Sequence, residues 1–151
     1  MLIQSISGIR GTIGGVAGNG LTPPDIVRFA TGYGAWVLAN LSSDHSSNLS
    51  AKPIVVIGRD ARLSGAMVSD LVAATLNSLG IDVIDLGLST TPTVELAVPE
   101  LNADGGIILT ASHNPKQWNA LKLLDHKGEF LSAAEGEKML ILSDSVVDYA
   151  E

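Results

Sequence analysis

The chain has 151 residues, 46% of them hydrophobic, no cysteine and a formal net charge of −7 at pH 7. That is enough apolar material for one folded domain, and its acidity argues against general affinity for nucleic acid or anionic membrane, both of which reward clustered Lys and Arg. Without cysteine there is no disulfide, thiolate nucleophile or thiolate zinc site, and no apolar run approaches the roughly 20 residues of a membrane span, so a soluble, cytoplasmic protein is expected.

After a short apolar start, "GIRGTIGGVAGNG" is too rich in glycine for a helix or a central strand and predicts a flexible loop. "LTPPDIVRFATGYGAWVLAN" predicts a helix capped at Thr22, with prolines in its first turn, Asp25 near its positive end, and Ile26, Phe29, Ala30, Tyr33 and Val37 on one stripe. The serine-rich "SSDHSSNLSAK" reads as an exposed connection in which His45 has no task. "PIVVIG" predicts a strand buried on both faces, and "SGAMVSDLVAATLNSLG" a helix capped by Ser64 and stopped at Gly80. The pattern recurs: "IDVIDLG" is a strand, "TTPTVELAVPEL" a helix opened by Pro92, "GGIIL" a strand and "ALKLLD" another. "DHKG" predicts a turn, and Ser132 with Glu135 forms a capping-box pattern that starts a final helix. Strands alternating with helices imply right-handed crossovers and a mostly parallel sheet covered on both faces.

Three loops are candidates for chemistry. In "SGIRGTIGG" the glycines would let backbone amides approach a phosphate with Arg10 supplying charge, although neither G-x-x-x-x-G-K-[ST] nor G-x-G-x-x-G is present. "GRDARLSG" carries Arg59, Asp60 and Arg62, for which an internal ion-pair network is favoured over ligand contact. "LTASHNP" admits two readings. It is either a strand end and turn, or a reactive serine, Ser112, presented at the carboxyl edge of the sheet. No G-x-S-x-G elbow and no acidic partner set for His113 is evident, which disfavours ordinary serine hydrolysis and leaves a serine that carries a phosphoryl group. Asp82 and Asp85 are the carboxylates nearest to metal-ligand spacing, and they are expected to line a strand edge instead.

Taken together, "SGIRG", "GRDARLSG", "STTPT" and "TASHNP", in this order, resemble the α-D-phosphohexomutases, a family that includes phosphoglucomutase, phosphomannomutase and phosphoglucosamine mutase. The resemblance runs from about Ser5 to Gly128 and implies the first of that family's four domains, a three-layer α/β/α fold with a mostly parallel mixed sheet, with residues 1–151 as a single domain. It implies that Ser112 is phosphorylated, gives its phosphoryl group to a hexose monophosphate and recovers one from the bisphosphate. By the same resemblance Lys122 acts near the transferring group, Arg10 handles charge and protons, and His113 supports the loop. Ala120 departs from the Asn-Gly common at that place.

The resemblance also implies magnesium, met here through the phosphoryl oxygen on Ser112 but held mainly by a domain absent from this chain, and hexose 1,6-bisphosphate as activator. The expected partners are a phosphosugar and the remaining domains of the same enzyme, with no nucleic acid and no membrane. The favoured reading is thus the amino-terminal catalytic domain of a phosphoglucomutase or phosphomannomutase, inactive as a fragment. The alternatives are a phosphoglucosamine mutase, or a noncatalytic phosphate-binding module on the same scaffold.

Overall fold

A computed structural model describes residues 1–5, 8–41 and 52–147, with residues 146 and 147 described by their backbone only. Residues 42–51 of the serine-rich connection, His45 among them, lie outside the described residues, as does Ser7 of "SGIRG". The elements are β1 (Leu2–Ser5), β2 (Gly8–Thr12), α1 (Pro23–Ala39), β3 (Ile54–Arg59), α2 (Gly65–Ser78), β4 (Asp82–Leu88), α3 (Thr91–Glu100), β5 (Gly105–Leu109), β6 (Trp118–Leu124) and α4 (Ala133–Val147). The strands form one sheet in the order β1-β2-β6-β5-β3-β4.

Two expectations need correction. First, the opening of the glycine-rich stretch is a strand: β2 lies between β1 and β6, with Ile9 opposite Leu121 and Arg10 opposite Ala120. Ladder partners on both sides satisfy its backbone, and this outweighs the poor strand preference of glycine. Second, the sheet is mixed as expected, but parallel pairing is confined to β3 with β4 and β3 with β5, and the other three pairings are antiparallel. Residues 110–117 alone join β5 to β6, too short a connection for the crossover of a dozen or more residues that a parallel return requires.

Alternate residues of each strand face different layers. Val55, Ile57, Ile107, Leu109 and Leu121 pack with Ile26, Phe29, Tyr33, Val72 and Leu76 of α1 and α2 and with Met139 of α4. Val56, Ile108 and Leu124 pack on the opposite side with Val94 and Val98 of α3. Among the described residues, three helices therefore cover one face and one covers part of the other. The predicted stripe of α1 is buried throughout. The two glycines inside α1 have packing reasons: a Cβ on Gly32 would stand 1.9 Å from Ser143 Oγ of α4, and one on Gly34 would stand 2.5 Å from Leu79 Cδ1.

Several end signals act differently from their simplest reading. Thr22 starts α1, yet the acceptor there is the buried Asp25 carboxylate, which takes the Thr22 N–H at 3.1 Å and the Gly18 N–H at 2.9 Å. Ser64 precedes α2 without capping it through its side chain; its hydroxyl instead accepts from Asn119 Nδ2 at 3.0 Å and so ties α2 to β6. Ser132 does cap α4, accepting the Glu135 N–H at 3.3 Å. Asp82 and Asp85 lie on the edge strand β4, where Asp82 pairs with Lys52 at 3.6 Å and Asp85 accepts the Gly87 N–H at 2.7 Å.

Candidate active site

Strand β5 is entirely buried as "GGIIL" and ends at Leu109; Thr110 and Ala111 stay buried, the chain first meets water at Ser112, and it must turn back to start β6 at Trp118. The turn is tight: the Asn114 N–H donates to Ala111 O at 2.9 Å, and Ser112 takes a left-handed backbone with φ of 51°. Asp60, just past the carboxyl end of β3, is the hub that fixes it. Thr110 Oγ1 donates to Asp60 Oδ2 at 2.6 Å and accepts the Ser112 N–H at 3.0 Å, while Asp60 N–H donates to Leu109 O at 3.1 Å.

Ser112 is exposed, and Lys122 Nζ on β6 donates to its Oγ at 2.7 Å. Lys122 and Ala120 are two residues apart on one strand and so share a face, and Arg10 of β2 stands opposite Ala120 in the ladder. Ala120 therefore leaves the register intact where the sequence departs from the family pattern. Gly8 is required beside them. Its φ is +118°, and a Cβ there would stand 2.2 Å from Leu121 O and 3.0 Å from Lys122 Cα.

Arg10, Ser112, His113 and Lys122, the site residues expected from the sequence, all line one cavity of about 250 Å³, closed on a further side by Phe130. It lies on the sheet face that α3 covers only in part, and not solely at the carboxyl edge. Arg10 Nε is buried and has no hydrogen-bond partner among the described residues. Two cationic side chains, one with an idle donor, thus flank a hydroxyl, an arrangement fitted to an anion covalently held on that oxygen. Among the described residues no group of three or more His, Cys, Asp or Glu could hold a metal ion.

The other two loops divide. "STTPT" does not line this cavity; Thr90 caps α3, accepting the Thr93 N–H at 3.3 Å. "GRDARLSG" forms the expected internal network, with Arg62 Nε on Asp60 Oδ2 at 3.2 Å. It also does something the sequence did not disclose, since the rest of the Arg62 guanidinium reaches across to the serine loop. Main-chain carbonyls as its acceptors leave no mark in the sequence, and only the Arg-Asp-Ala-Arg grouping hinted at a role.

Comparison with known proteins places the chain in a family. The family model for the phosphoglucomutase/phosphomannomutase α/β/α domain I matches residues 2–142. The chain is 39% identical over 120 residues to a phosphoglucomutase/phosphomannomutase of Thermococcus kodakarensis, covering 78% of this chain and 25% of that protein. It is 39% identical over 134 residues to a phosphoglucosamine mutase of Lactiplantibacillus plantarum, covering 89% and 29%. A solved phosphoglucomutase/phosphomannomutase family protein from Burkholderia thailandensis superposes with a TM-score of 0.74 at 26% identity, over 97% of this chain and 31% of that one. The chain thus spans between a quarter and a third of the length of these relatives. With that match over nearly all of its length, the chain belongs to the phosphoglucomutase/phosphomannomutase family and corresponds to its α/β/α domain I.

Proposed function

We propose that residues 1–151 act as one domain of a cytoplasmic phosphohexomutase, in which Ser112 carries the phosphoryl group exchanged with a hexose phosphate. The observation that carries this reading is the 2.7 Å hydrogen bond from Lys122 Nζ to Ser112 Oγ in a cavity that Arg10 also lines. In the forward step the bond between phosphorus and Ser112 Oγ breaks with its electron pair left on Oγ, and a bond forms from phosphorus to a sugar hydroxyl oxygen. The hydroxyl proton leaves to water, and the Lys122 ammonium, already aimed at Oγ, supplies the proton that oxygen takes up. Arg10 contributes charge only, because a guanidinium does not deprotonate in proteins. His113, exposed on the same wall, supports the loop. The bisphosphorylated sugar returns a phosphoryl group to Ser112 by the reverse of these bond changes.

The names of the relatives support a sugar class. At equal identity one is named for glucose and mannose and the other for glucosamine, so the substrate is proposed as a hexose phosphate, with phosphoglucosamine as the second reading. Magnesium would meet this domain at the phosphoryl oxygen on Ser112. The described residues offer no acidic cluster to hold it, so its ligands are assigned to other domains of the enzyme. For the same reason, and for want of a second wall to seat the sugar, the 151-residue chain is expected to turn over no hexose phosphate alone.

The test is to incubate the full-length protein with hexose 1,6-bisphosphate and locate the added phosphoryl group by intact mass and peptide mapping. It should lie on Ser112. Incorporation at another serine, with Ser112→Ala turning over normally, would overturn the proposal.

A further inference from the structure

The two arginines near Ser112 use their donors in opposite ways. Arg10 has a buried Nε with no hydrogen-bond partner among the described residues, whereas Arg62 has spent every N–H it owns. A guanidinium carries five N–H donors in a rigid fork. In Arg62, Nε donates to Asp60 Oδ2 at 3.2 Å, Nη1 to Pro115 O at 2.8 Å and Trp118 O at 2.9 Å, and Nη2 to Ser112 O and Asn114 O at 2.9 Å each. Four acceptors are main-chain carbonyls of the serine loop and the first residue of β6, so the fork spans the whole turn from Ser112 to Trp118. The side chain is only 12% exposed, and no donor remains for a phosphate unless a loop carbonyl is released.

From this we infer that Arg62 is a positioning residue for phosphoryl transfer, acting as a clamp on the carbonyls of the serine loop and not as a ligand for phosphate. Ser112 sits at a positive φ, which a residue with a side chain keeps only where its surroundings impose it. Thr110 holds the Ser112 N–H, and Arg62 holds the Ser112 carbonyl. Between them the backbone dihedrals are fixed from both sides, and Oγ is left pointing at Lys122. Lysine cannot substitute, since three donors on a flexible stem cannot satisfy five acceptor positions laid out for a planar fork. Releasing the loop would move Oγ away from Lys122 while leaving the residues that touch the sugar in place.

This inference rests on Ser112 being the phosphoryl carrier, and the experiment separates the two. Wild-type full-length protein is first treated with hexose 1,6-bisphosphate; lack of label on Ser112 would remove the proposed function whatever Arg62 does. Arg62→Lys, which keeps the charge beside Asp60, is then measured for kcat, KM and melting temperature. A displaced reacting group commonly costs about 10²-fold in rate, so kcat should fall by about that factor with KM held within about threefold. In Arg62→Ala, added guanidinium ion should restore part of the lost kcat, and ammonium ion at the same concentration should not. A KM raised about tenfold with kcat unchanged would show that Arg62 binds ligand. A lowered melting temperature with wild-type kcat per folded molecule, or no rescue specific to guanidinium, would reduce it to a purely structural residue. Either result overturns the clamp.

Discussion

The face of the sheet covered by α1, α2 and α4 is a close-packed apolar layer in which Phe29, Tyr33, Leu76, Ile57 and Leu121 are fully buried. The other face has the small cluster under α3, and beside it β6 and β2 present Lys122, Ala120 and Arg10 to a cavity instead of to a helix. A helix laid over that second patch would have to bury two cations, at a cost that pairing seldom repays. Leaving it uncovered keeps the charges partly hydrated and available. Stability and chemistry are thereby assigned to opposite sides of the same strands, often by adjacent residues: Leu121 is wholly buried in one layer while Lys122 reaches Ser112 in the other.

If that division is real, substitutions on the two faces should separate activity from stability, and all of the following are to be measured in the full-length protein. The largest effect is expected for Ser112→Ala, which removes the group that carries the phosphoryl. Turnover should fall by more than about 10³-fold while the melting temperature barely moves, because Ser112 is exposed and contributes nothing to either apolar layer. A fall in thermal stability comparable with that of a core variant would mean that the site face also holds the fold together.

Phe29→Ala asks the converse question of the covered face. Truncating a fully buried phenylalanine typically costs about 3–5 kcal/mol, so chemical denaturation should show a large loss for this domain. The kcat per folded molecule should stay at the wild-type value, since no atom of Phe29 borders the cavity. A kcat that falls in step with stability would show the faces to be coupled.

Lys122→Met comes next. The substitution keeps the length of the side chain and removes the donor to Ser112 Oγ, and loss of such a positioned charge commonly lowers kcat by about 10²- to 10³-fold. Lys122 is only half-buried, so the change in melting temperature should be small. Wild-type kcat in this variant would remove Lys122 from the mechanism.

What could be read from the sequence follows the same division. The helices and the strands from β3 onward were legible because each is a local signal: a continuous apolar run, a 3.6-residue stripe such as Ile26 to Val37, a glycine or proline at an end. Ser112, His113, Lys122 and Arg10 were legible as a group only through a family resemblance, because nothing local says that Arg10 and Lys122 share a face. That depends on the register of β2 with β6, set by partners more than a hundred residues apart. The same long-range pairing made a strand of glycine-rich residues that locally read as loop. The pairing of Arg62 with Asp60 is legible in the sequence, while its grip on Ser112, Asn114, Pro115 and Trp118 is not, because every one of those acceptors is backbone. "STTPT" shows the reverse case, a segment singled out by its resemblance in which the hydrogen bonds of Thr90 and Thr93 serve the start of α3.

The smallest expected effect lies at the margin of the covered layer and is read through pH. Glu135, in the first turn of α4, accepts from Lys138 Nζ at 2.8 Å and from Trp36 Nε1 at 2.7 Å. These bonds, that from Lys138 foremost, favour the carboxylate and hold its pKa below the ordinary glutamate value of 4.5. A group whose pKa is lower folded than unfolded binds protons more readily in the unfolded chain, so its contribution is fully present above pH 4.5 and is lost as pH falls through the depressed value. Glu135→Gln keeps an acceptor for Trp36 but cannot titrate. Melting temperature should therefore differ between wild type and variant at neutral pH, and the difference should close on the acid side of 4.5. Trp36 fluorescence should change over the same interval in the wild type alone. Acid limbs that run parallel in the two proteins would show that Glu135 does not link α4 to α1 through its charge. They would leave the helix Ser143 packs against Gly32 joined to α1 by apolar contact and by the Arg28–Asp144 ion pair.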